Sequence, residues 1–306
     1  MRQEQRAVQS GLRHRPTPGL GFGVAFAILG RLSSLLALHP SFLPVVLWDD
    51  RCRWREAILP EYKSKRWVDP DQQEILSLYQ RQTDVAKVLL AHAGVPQLTA
   101  SNYEADDLAG LICRNAPESW RIRLATTDRD WLQALRQNVE WFNLGGGRPI
   151  TIADFDNTAL IPEGPFLSCE HFVQSRALSG DASDEIPGVK GVGLKTAAKI
   201  IRENGSVESM WELFDAGHKY PGEVLNRVAG PGARELYLRN LRLIDWRLAP
   251  EPFPAVTLEP GNSDAAMFDR ACREHHLPTI SINHLGRWSG NSTPAIDVLS
   301  GTILNG

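Results

Sequence analysis

Residues 177–201 read Ala177-Leu-Ser-Gly-Asp-Ala-Ser-Asp-Glu-Ile-Pro-Gly-Val-Lys-Gly-Val-Gly-Leu-Lys-Thr-Ala-Ala-Lys-Ile-Ile201, and the other motifs of the chain are best understood from them. The first half presents three acidic residues among turn-forming ones: Asp181, Asp184 and Glu185. The second half is a glycine turn, residues 188–193, which leads into a helix predicted for residues 194–204. Gly191 and Gly193 allow the backbone to approach a ligand closely, and the free N–H groups that open a helix point toward it. The pattern is typical of a site that binds a nucleic-acid phosphate, with carboxylates suited to a metal ion nearby.

Basic side chains accompany this glycine turn. Lys190, Lys195 and Lys199 add positive charge on or near the end of the predicted helix that faces the turn. Contacts of this kind hold a phosphate backbone without reading bases. The residues predicted to make them are Gly188, Lys190, Gly191, Gly193, Lys195 and Thr196.

The composition limits the class of protein. At 306 residues, the chain is long enough for one large domain or two smaller ones. A formal net charge of -3 excludes a uniformly basic nucleic-acid coat but allows a local basic face. The four cysteines are far apart and form no C-x-x-C pair, which argues against a zinc site or a disulfide framework and fits a reducing cytoplasm. They are Cys52, Cys113, Cys169 and Cys272.

An apolar segment near the start, residues 19–38, has two interpretations. It follows a basic stretch and so resembles a signal peptide or membrane anchor. However, Arg31 lies in its middle, and no small-residue cleavage site follows. Its apolar positions recur as on a buried helix face, so we predict a core helix.

Acidic residues follow two predicted strands at their carboxyl ends. Asp49 comes directly after the apolar run of residues 42–48, and Asp128 and Asp130 follow residues 121–126. Open α/β sheets place their active sites at this edge. Taken singly, such acids are better explained as part of an ordinary turn after a strand.

Three more acids, Glu104, Asp106 and Asp107, open a predicted helix. Acids in a first helical turn complement the helix dipole, which is the simplest explanation for them. Three carboxylates in four positions exceed what capping requires, and Glu104 and Asp107 project on one face. With the other acids, they favour a hard cation such as Mg²⁺ or Mn²⁺.

Residues 51–66 alternate basic and aromatic side chains. Trp54 and Tyr62 lie among six cations, a pattern that suits a phosphate backbone with stacked single-stranded bases. A solvated charged face is the alternative. The cations are Arg51, Arg53, Arg55, Lys63, Lys65 and Arg66.

The remaining pattern is mostly helical. A strand is predicted for residues 139–142, and a Pro-rich region from residue 247 ends in a weakly structured tail from residue 286. The further predicted helices are residues 71–93, 131–135, 207–214 and 231–243.

With these residues in place, the chain resembles the 5′-nuclease family of flap endonucleases and 5′–3′ exonucleases, which includes the 5′-nuclease domain of DNA polymerase I and stand-alone phage enzymes. The matching motifs occur in the family's order across roughly residues 20 to 250. They are Val46-Leu-Trp-Asp49, Leu59-Pro-Glu-Tyr-Lys-Ser-Lys-Arg66, Glu104-Ala-Asp-Asp107, Thr127-Asp-Arg-Asp130, Gly180-Asp-Ala-Ser-Asp-Glu-Ile-Pro-Gly188 and Gly191-Val-Gly193.

The resemblance implies an α/β fold with a twisted, mainly parallel sheet flanked by helices. It implies a PIN-like nuclease domain over residues 1–165 with a helical arch at about residues 51–72. A helical DNA-binding domain over residues 166–285 would carry a helix–three-turn–helix element at about residues 179–204, followed by a tail over residues 286–306.

The resemblance also implies a set of site residues. Two Mg²⁺ ions, replaceable by Mn²⁺, would be held by Asp49, Glu104, Asp106, Asp107, Asp128, Asp130, Asp181 and Asp184. Asp107 and Asp128 would favour the metal that activates water, and Asp130, Asp181 and Asp184 the second site. The residues implied in catalysis are Asp49, Lys63, Arg66, Asp107 and Asp128. The DNA contacts would extend to Arg55, Lys63, Lys65 and Arg66 at the base of the arch.

The implied substrate is DNA with 5′ flaps or 5′ ends at duplex junctions, and a replicative DNA polymerase is an implied partner. The resemblance further implies K⁺ at the helix–three-turn–helix element and a cytoplasmic location in a bacterial or phage-infected cell.

One departure separates the chain from the resembled family. Family members begin with a strand that ends in a metal-bridging Asp, whereas residues 1–15 contain no apolar strand and no Asp. We expect either a truncated chain or one without this ligand. Two rival functions follow: a structure-specific DNA-binding protein without hydrolysis, and a helix–hairpin–helix accessory protein whose acids serve only as helix caps.

Overall fold

The computed structural model describes residues 23–64, 70–250 and 256–277. Its helices are α1 (Gly23–Leu38), α2 (Arg53–Ile58), α3 (Pro70–His92), α4 (Ala105–Asn115), α5 (Cys169–Ser179), α6 (Leu194–Asn204), α7 (Val207–Asp215), α8 (Glu223–Ala229), α9 (Pro231–Ile244) and α10 (Ala265–Glu274). Its strands are β1 (Val46–Leu47), β2 (Gln97–Ala100), β3 (Ile122–Thr126), β4 (Val139–Asn143), β5 (Gly180–Asp181), β6 (Ile186–Pro187) and β7 (Val256–Glu259).

These elements group into two compact units, each drawn from separated stretches of chain. The first unit takes its described residues from Met1–Asp50, Lys65–Ser101 and Pro254–Gly306. The second takes them from Arg51–Ser64 and Asn102–Phe253.

In the first unit, helices α1, α3 and α10 share one apolar core. Leu29 of α1, Leu89 of α3 and Phe268 of α10 are fully buried in it. Arg31, whose charge argues against a membrane segment, is exposed on α1. The predicted core helix over residues 19–38 is therefore confirmed where the structure describes it. No helix in the described ranges combines the length and the apolar character needed to cross a membrane.

The sheet of the first unit has the order β1-β2-β7, with β1 parallel and β7 antiparallel to β2. Gln97 is buried at the start of β2 because its amide is fully used. It accepts from the Trp48 Nε1–H at 2.8 Å and donates to the Lys87 carbonyl at 3.0 Å. Asp49 follows β1 at the carboxyl end of the strand and is exposed.

In the second unit, β3 and β4 pair in parallel from Ile122↔Val139 to Thr126↔Asn143. Three phenylalanine rings pack behind this pair, and the Phe166 and Phe172 rings meet edge to face at 5.1 Å. A second cluster, formed by α5 to α9, surrounds Val189 and Val192 of the glycine turn. The turn is therefore attached to a helical core by two buried valines.

His171 joins two helices of this unit through its ring. Its Nδ1 accepts from the Leu167 N–H at 2.9 Å, so the ring proton lies on Nε2, which faces the Ala198 carbonyl at 2.9 Å. Burial, assisted by Arg202, lowers the pKa of His171. The network therefore requires a neutral imidazole.

The α/β class is confirmed, with mixed pairing: β1–β2 and β3–β4 are parallel, while β2–β7 and β5–β6 are antiparallel. Helices predicted for residues 71–93, 194–204, 207–214 and 231–243 match α3, α6, α7 and α9 within one residue at each end. The helix predicted for residues 131–135 is wrong, because this segment is a single 3₁₀ turn, Asp130–Ala134. The Asp128 carboxylate accepts the Asp130 N–H at 2.8 Å and starts that tighter turn.

Several elements have no counterpart in the sequence predictions. Helix α5 is buried around most of its circumference, so it lacks the one-sided apolar stripe that reveals a surface helix. Elements β2, α8, β7 and α10 were also missed.

Some predictions lie outside the described residues. They concern the absent strand in residues 1–15, the arch residues Lys65 and Arg66, and the tail from residue 286. The division into domains at residue 165 stays a prediction, and the two compact units cut across it because residues 51–64 group with residues 102–253.

Candidate active site

Arg55 of α2 is the centre of a buried ion-pair network in the second unit. Its guanidinium binds both carboxylate oxygens of Asp107, at 2.6 and 2.8 Å, and contacts Glu104 at 3.2 Å. Its Nε–H donates to the Leu243 carbonyl at 2.9 Å. The Arg55 and Asp107 side chains are 3% and 0% exposed, so water does not weaken this pairing.

The same two acids also cap helix α4. Glu104 is the N-cap residue, and its N–H donates to the Asp107 carboxylate at 3.0 Å to complete a capping box. Capping and binding of a cation are therefore not alternatives here. Both occur, and the cation is Arg55.

Glu104 has two further partners on the Pro-Glu-Tyr-Lys segment. Lys63 Nζ lies 2.5 Å from one carboxylate oxygen, and the Tyr62 hydroxyl donates to the other at 2.7 Å. Burial acts to raise the pKa of Glu104, but Lys63 and Arg55 outweigh it and hold that pKa below its usual value. Glu104 is thus a carboxylate that is already neutralised within the chain.

Lys63 connects this network to the acidic loop before the glycine turn. Its backbone adopts a positive φ of 52°, and its N–H donates to the Asp184 carbonyl at 3.1 Å. Its Nζ also lies 3.4 Å from the Asp184 carboxylate. The buried Tyr62 packs with Ile186 on the other side of that loop.

A second group of carboxylates, which we call the acidic cluster, consists of Asp128, Asp130, Asp181 and Asp184. Arg176 of α5 bridges two of them, with Nη2 at 2.7 Å from Asp130 and 2.5 Å from Asp181. Asp181 also accepts from the Ser183 N–H and hydroxyl, at 2.8 and 2.6 Å.

Burial and neighbouring acids both act on the pKa values of the acidic cluster. Burial, together with Asp128 and Asp181, raises the pKa of Asp130 to about 6 against the effect of Arg176. Enclosure by the surrounding protein raises the pKa of Asp128, and Asp184 and Asp181 add to that rise. For Asp181, burial is outweighed by Arg176 and Ser183, so its pKa is lowered. The cluster therefore carries more negative charge than its own cations neutralise.

The acidic cluster fits a divalent cation better than the buried network does. Its donors are carboxylate oxygens alone, which Mg²⁺ and Mn²⁺ prefer. Burial, and to a smaller extent Asp184 and Asp181, raises the pKa of Asp128, and a bound cation would oppose both effects. Glu104 and Asp107, in contrast, already hold Arg55 and Lys63. Within the described ranges, no three acidic, His or Cys side chains converge closely enough to form a complete metal site.

The other predicted ligands have separate positions. The Asp106 carboxylate accepts from the Trp131 Nε1–H at 2.8 Å. Asp49 belongs to the first unit, and its part in a metal site stays a prediction.

Two residues of the predicted DNA-binding arch face inward instead. Arg55 is 2% exposed and bound to Asp107, so its guanidinium cannot reach a phosphate, and we no longer assign it to the DNA contacts. Tyr62 is 5% exposed, which excludes stacking on a base in this conformation. Their burial depends on partners far along the chain, which the local basic and aromatic pattern does not reveal.

The glycine turn presents most of its predicted DNA contacts to solvent. Lys190, Gly191, Gly193, Lys195 and Thr196 are all exposed. Gly193 is the N-cap of α6, and Gly191 adopts a positive φ of 82°.

Gly188 has a different role from the other turn glycines. It is half-buried, and a Cβ atom there would lie 2.0 Å from the Ser179 carbonyl oxygen. The residue is therefore required for close packing of the backbone.

Sequence reasoning missed two residues that organise the site. Arg176 bridges the acidic cluster. Asn240 of α9 is fully buried and donates to the Ala177 and Pro187 carbonyls, both at 2.9 Å, on either side of the acidic loop. Their distant partners give no local sequence signal, since Asp130 lies 46 residues from Arg176, and Ala177 and Pro187 lie 63 and 53 residues from Asn240.

Comparison with family models gives two adjacent matches. Residues 11–160 match the 5′-3′ exonuclease, N-terminal resolvase-like domain. Residues 167–231 match the 5′-3′ exonuclease, C-terminal SAM fold.

The DNA polymerase I relatives are longer than this chain. DNA polymerase I of Deinococcus radiodurans is 33% identical over 201 residues, which are 64% of this chain and 20% of the relative. DNA polymerase I of Mycobacterium tuberculosis is 31% identical over 248 residues, 80% of this chain and 26% of the relative. The 5′-3′ exonuclease of Aquifex aeolicus is 32% identical over 196 residues, 61% of this chain and 64% of the relative. The matched region thus spans about a fifth to a quarter of these polymerases.

Solved structures share the fold. The phage T5 5′-exonuclease with bound zinc has a TM-score of 0.62 at 21% identity, covering 88% of this chain and 96% of that one. A complex of the T5 flap endonuclease with DNA and metal ions has a TM-score of 0.63 at 21% identity, with the same coverage. At such identities the likeness concerns the fold alone.

Proposed function

Because the chain belongs to the 5′-3′ exonuclease family, we propose that it hydrolyses phosphodiester bonds near junctions between single-stranded and duplex DNA, using divalent cations. The observation that carries the proposal is the acidic cluster, in which Arg176 joins Asp130 to Asp181, and whose members Asp181 and Asp184 lie on the loop before the exposed glycine turn. Substrates would be DNA with 5′ flaps or 5′ ends, cleaved as an exonuclease or as a flap endonuclease.

Each part of the site has a role in this proposal. Asp128, Asp130, Asp181 and Asp184 would hold Mg²⁺ or Mn²⁺. Two bound ions would activate a water molecule and neutralise the leaving oxygen. Arg176 holds Asp130 and Asp181 together, which keeps the donor oxygens on one side of the loop.

Glu104 and Asp107 would hold the elements around the site in place through their ion pairs. Through Arg55 they fix α2 against α4, and through Lys63 they fix the Pro-Glu-Tyr-Lys segment beside Asp184. A metal ion at these two acids would have to displace Arg55. Lys63 is 15% exposed, so its ammonium can also meet a phosphate at the edge of the network.

The exposed glycine turn would hold duplex backbone through its N–H groups and the side chains of Lys190 and Lys195. The proposal includes K⁺ at this turn, which a duplex-binding titration in K⁺ against Na⁺ would test. It also includes a replicative polymerase as partner and a location in the cytoplasm.

The test is incubation with a labelled 5′-flap DNA in Mg²⁺, in Mn²⁺ and in EDTA. We expect cleavage in either metal, none in EDTA, and loss of cleavage in Asp128→Asn. Asp156→Asn changes an exposed carboxylate outside the cluster and is the matched control. Equal cleavage by Asp128→Asn and Asp156→Asn would refute the assigned role of the cluster.

A second function is a structure-specific DNA-binding protein without hydrolysis. The observation that favours it is that Arg55, Lys63 and Arg176 already occupy most of the acids. Flap binding without cleavage in any metal would establish it. A helix–hairpin–helix accessory protein would show neither cleavage nor stabilisation by Mg²⁺.

A further inference from the structure

Helix α8 contacts the exposed part of the glycine turn through a side-chain hydrogen bond. Val189 and Val192 are buried, and the Val192 N–H donates to the Val189 carbonyl at 2.9 Å to close the turn. Between them, Lys190 and Gly191 are exposed. The Lys190 carbonyl accepts a hydrogen bond from a side chain outside the turn.

Arg227 of α8 supplies that partner. One Nη1–H donates to the Lys190 carbonyl, and the Nη2–H donates to the Glu223 carboxylate one helical turn earlier. Glu223 fixes the orientation of the guanidinium and neutralises its charge. Arg227 thus contacts the backbone of the turn and has its charge paired.

The distances from Gly191 to helix α8 are consistent with this contact. A Cβ atom at Gly191 would lie 3.6 Å from Arg227 Nη1 and 3.9 Å from a methyl group of Val224. The face of α8 that carries Val224 and Arg227 therefore lies close to Gly191, at ordinary contact distance from a Cβ placed there. Glycine is needed at this position mainly for its positive φ of 82°.

Helix α8 is itself firmly anchored. Val228 and Ala229 have no exposed surface and lie in the same apolar cluster as Val189 and Val192. The Trp211 Nε1–H donates to the Val228 carbonyl at 3.1 Å. The guanidinium of Arg227 is therefore held by a rigid support.

We propose that Arg227 is a positioning residue for DNA binding, which holds the Lys190–Gly191 peptide so that the turn's free N–H groups face a phosphate. This inference rests on the proposed function of the glycine turn. In this proposal Arg227 acts through the Lys190 backbone and not by contact with the phosphate, and its guanidinium is paired with Glu223 of the same helix. Binding of the duplex depends on this contact of Arg227 with the turn, whereas the chemistry at the acidic cluster does not depend on it.

The experiment measures duplex binding by fluorescence anisotropy in EDTA, and KM and kcat on flap DNA in Mg²⁺. Arg227→Met is expected to raise Kd and KM about tenfold, as for loss of one hydrogen bond to a charged donor, with kcat unchanged. Arg227→Lys restores most of the affinity because the ammonium can donate to the same carbonyl. Arg270→Met, which removes an exposed arginine from another i,i+4 pair with glutamate, is expected to have no effect.

Salt dependence separates support of the turn from direct phosphate contact. A lost phosphate contact lowers the slope of log K against log salt by about 0.9, whereas loss of the support leaves the slope unchanged. Glu223→Gln removes a negative charge, so direct contact predicts tighter binding. The support role predicts Kd two- to threefold weaker, since the guanidinium is less well oriented (about 0.5 kcal/mol at that fold-change).

Three results would each overturn this inference while leaving the proposed function intact. They are an unchanged Kd in Arg227→Met, a lower slope of log K against log salt in Arg227→Met, and tighter duplex binding by Glu223→Gln. A wild-type chain that binds no duplex would instead overturn the proposed function. If Arg227→Met fails to fold, Glu223→Gln decides the question, because its exposed side chain can be changed without exposing core residues.

Discussion

Replacement of Arg55 by methionine tests the buried ion-pair network most severely. The Arg55 and Asp107 side chains are 3% and 0% exposed and are joined by two hydrogen bonds of 2.6 and 2.8 Å. Removal of one partner from a buried pair leaves an uncompensated charge and costs about 3–5 kcal/mol. We therefore expect Arg55→Met to lower the free energy of unfolding by about that amount.

The assay is urea unfolding followed by circular dichroism, with and without Mg²⁺. Asp107→Asn and the double variant complete a double-mutant cycle, which should give a coupling of about 3 kcal/mol. Arg51→Met is the matched control, since that exposed arginine on the same segment pairs with Glu56 at the surface.

The Mg²⁺ arm asks whether Arg55 occupies a position that a cation would otherwise take. In Arg55→Met, Asp107 loses its internal cation and Glu104 keeps only Lys63, so millimolar Mg²⁺ should stabilise this variant more than the wild type. A loss in Arg55→Met of less than about 1 kcal/mol, or no coupling with Asp107→Asn, would refute the reasoning.

Two further predictions concern the helical part of the second unit. Gly188→Ala should destabilise by about 3 kcal/mol or more, because its Cβ would lie 2.0 Å from the Ser179 oxygen, whereas Gly232→Ala meets nothing within 4 Å; equal melting temperatures of the two variants would contradict this. Burial lowers the pKa of His171 in the folded state. The contribution of neutral His171 to the free energy of unfolding is therefore present above about pH 6.5 and is lost as the pH falls through the pKa of the folded state. The pH dependence of unfolding should therefore weaken in His171→Gln but not in the exposed His218→Gln, and an unchanged pH profile in His171→Gln would contradict the assigned tautomer.

Features with a local cause were predictable from the sequence. Helix α6 begins and ends as predicted because a glycine N-cap and a strongly one-sided apolar pattern define it. The acids of residues 104–107 lie at the start of α4, as acids in a first helical turn should. The fold class followed from the order of such motifs along the chain.

Features with distant partners were not predictable in this way. Arg55 reads as one of six cations in a basic stretch, yet its partner Asp107 lies 52 residues away. Arg176 gives no signal in its own helix, because α5 is buried on most sides and its acidic partners come from two loops. The sequence therefore predicted where the acids lie but not which of them the chain neutralises itself.

We propose that the acidic cluster, and not the buried network, binds the divalent cation. A Mn²⁺ titration of the wild type, Asp128→Asn and Asp156→Asn, followed by electron paramagnetic resonance, tests this directly. We expect Asp128→Asn to weaken Mn²⁺ binding at least about tenfold, or about 1.4 kcal/mol, while Asp156→Asn binds as the wild type does. Equal Mn²⁺ affinity in all three proteins would contradict it.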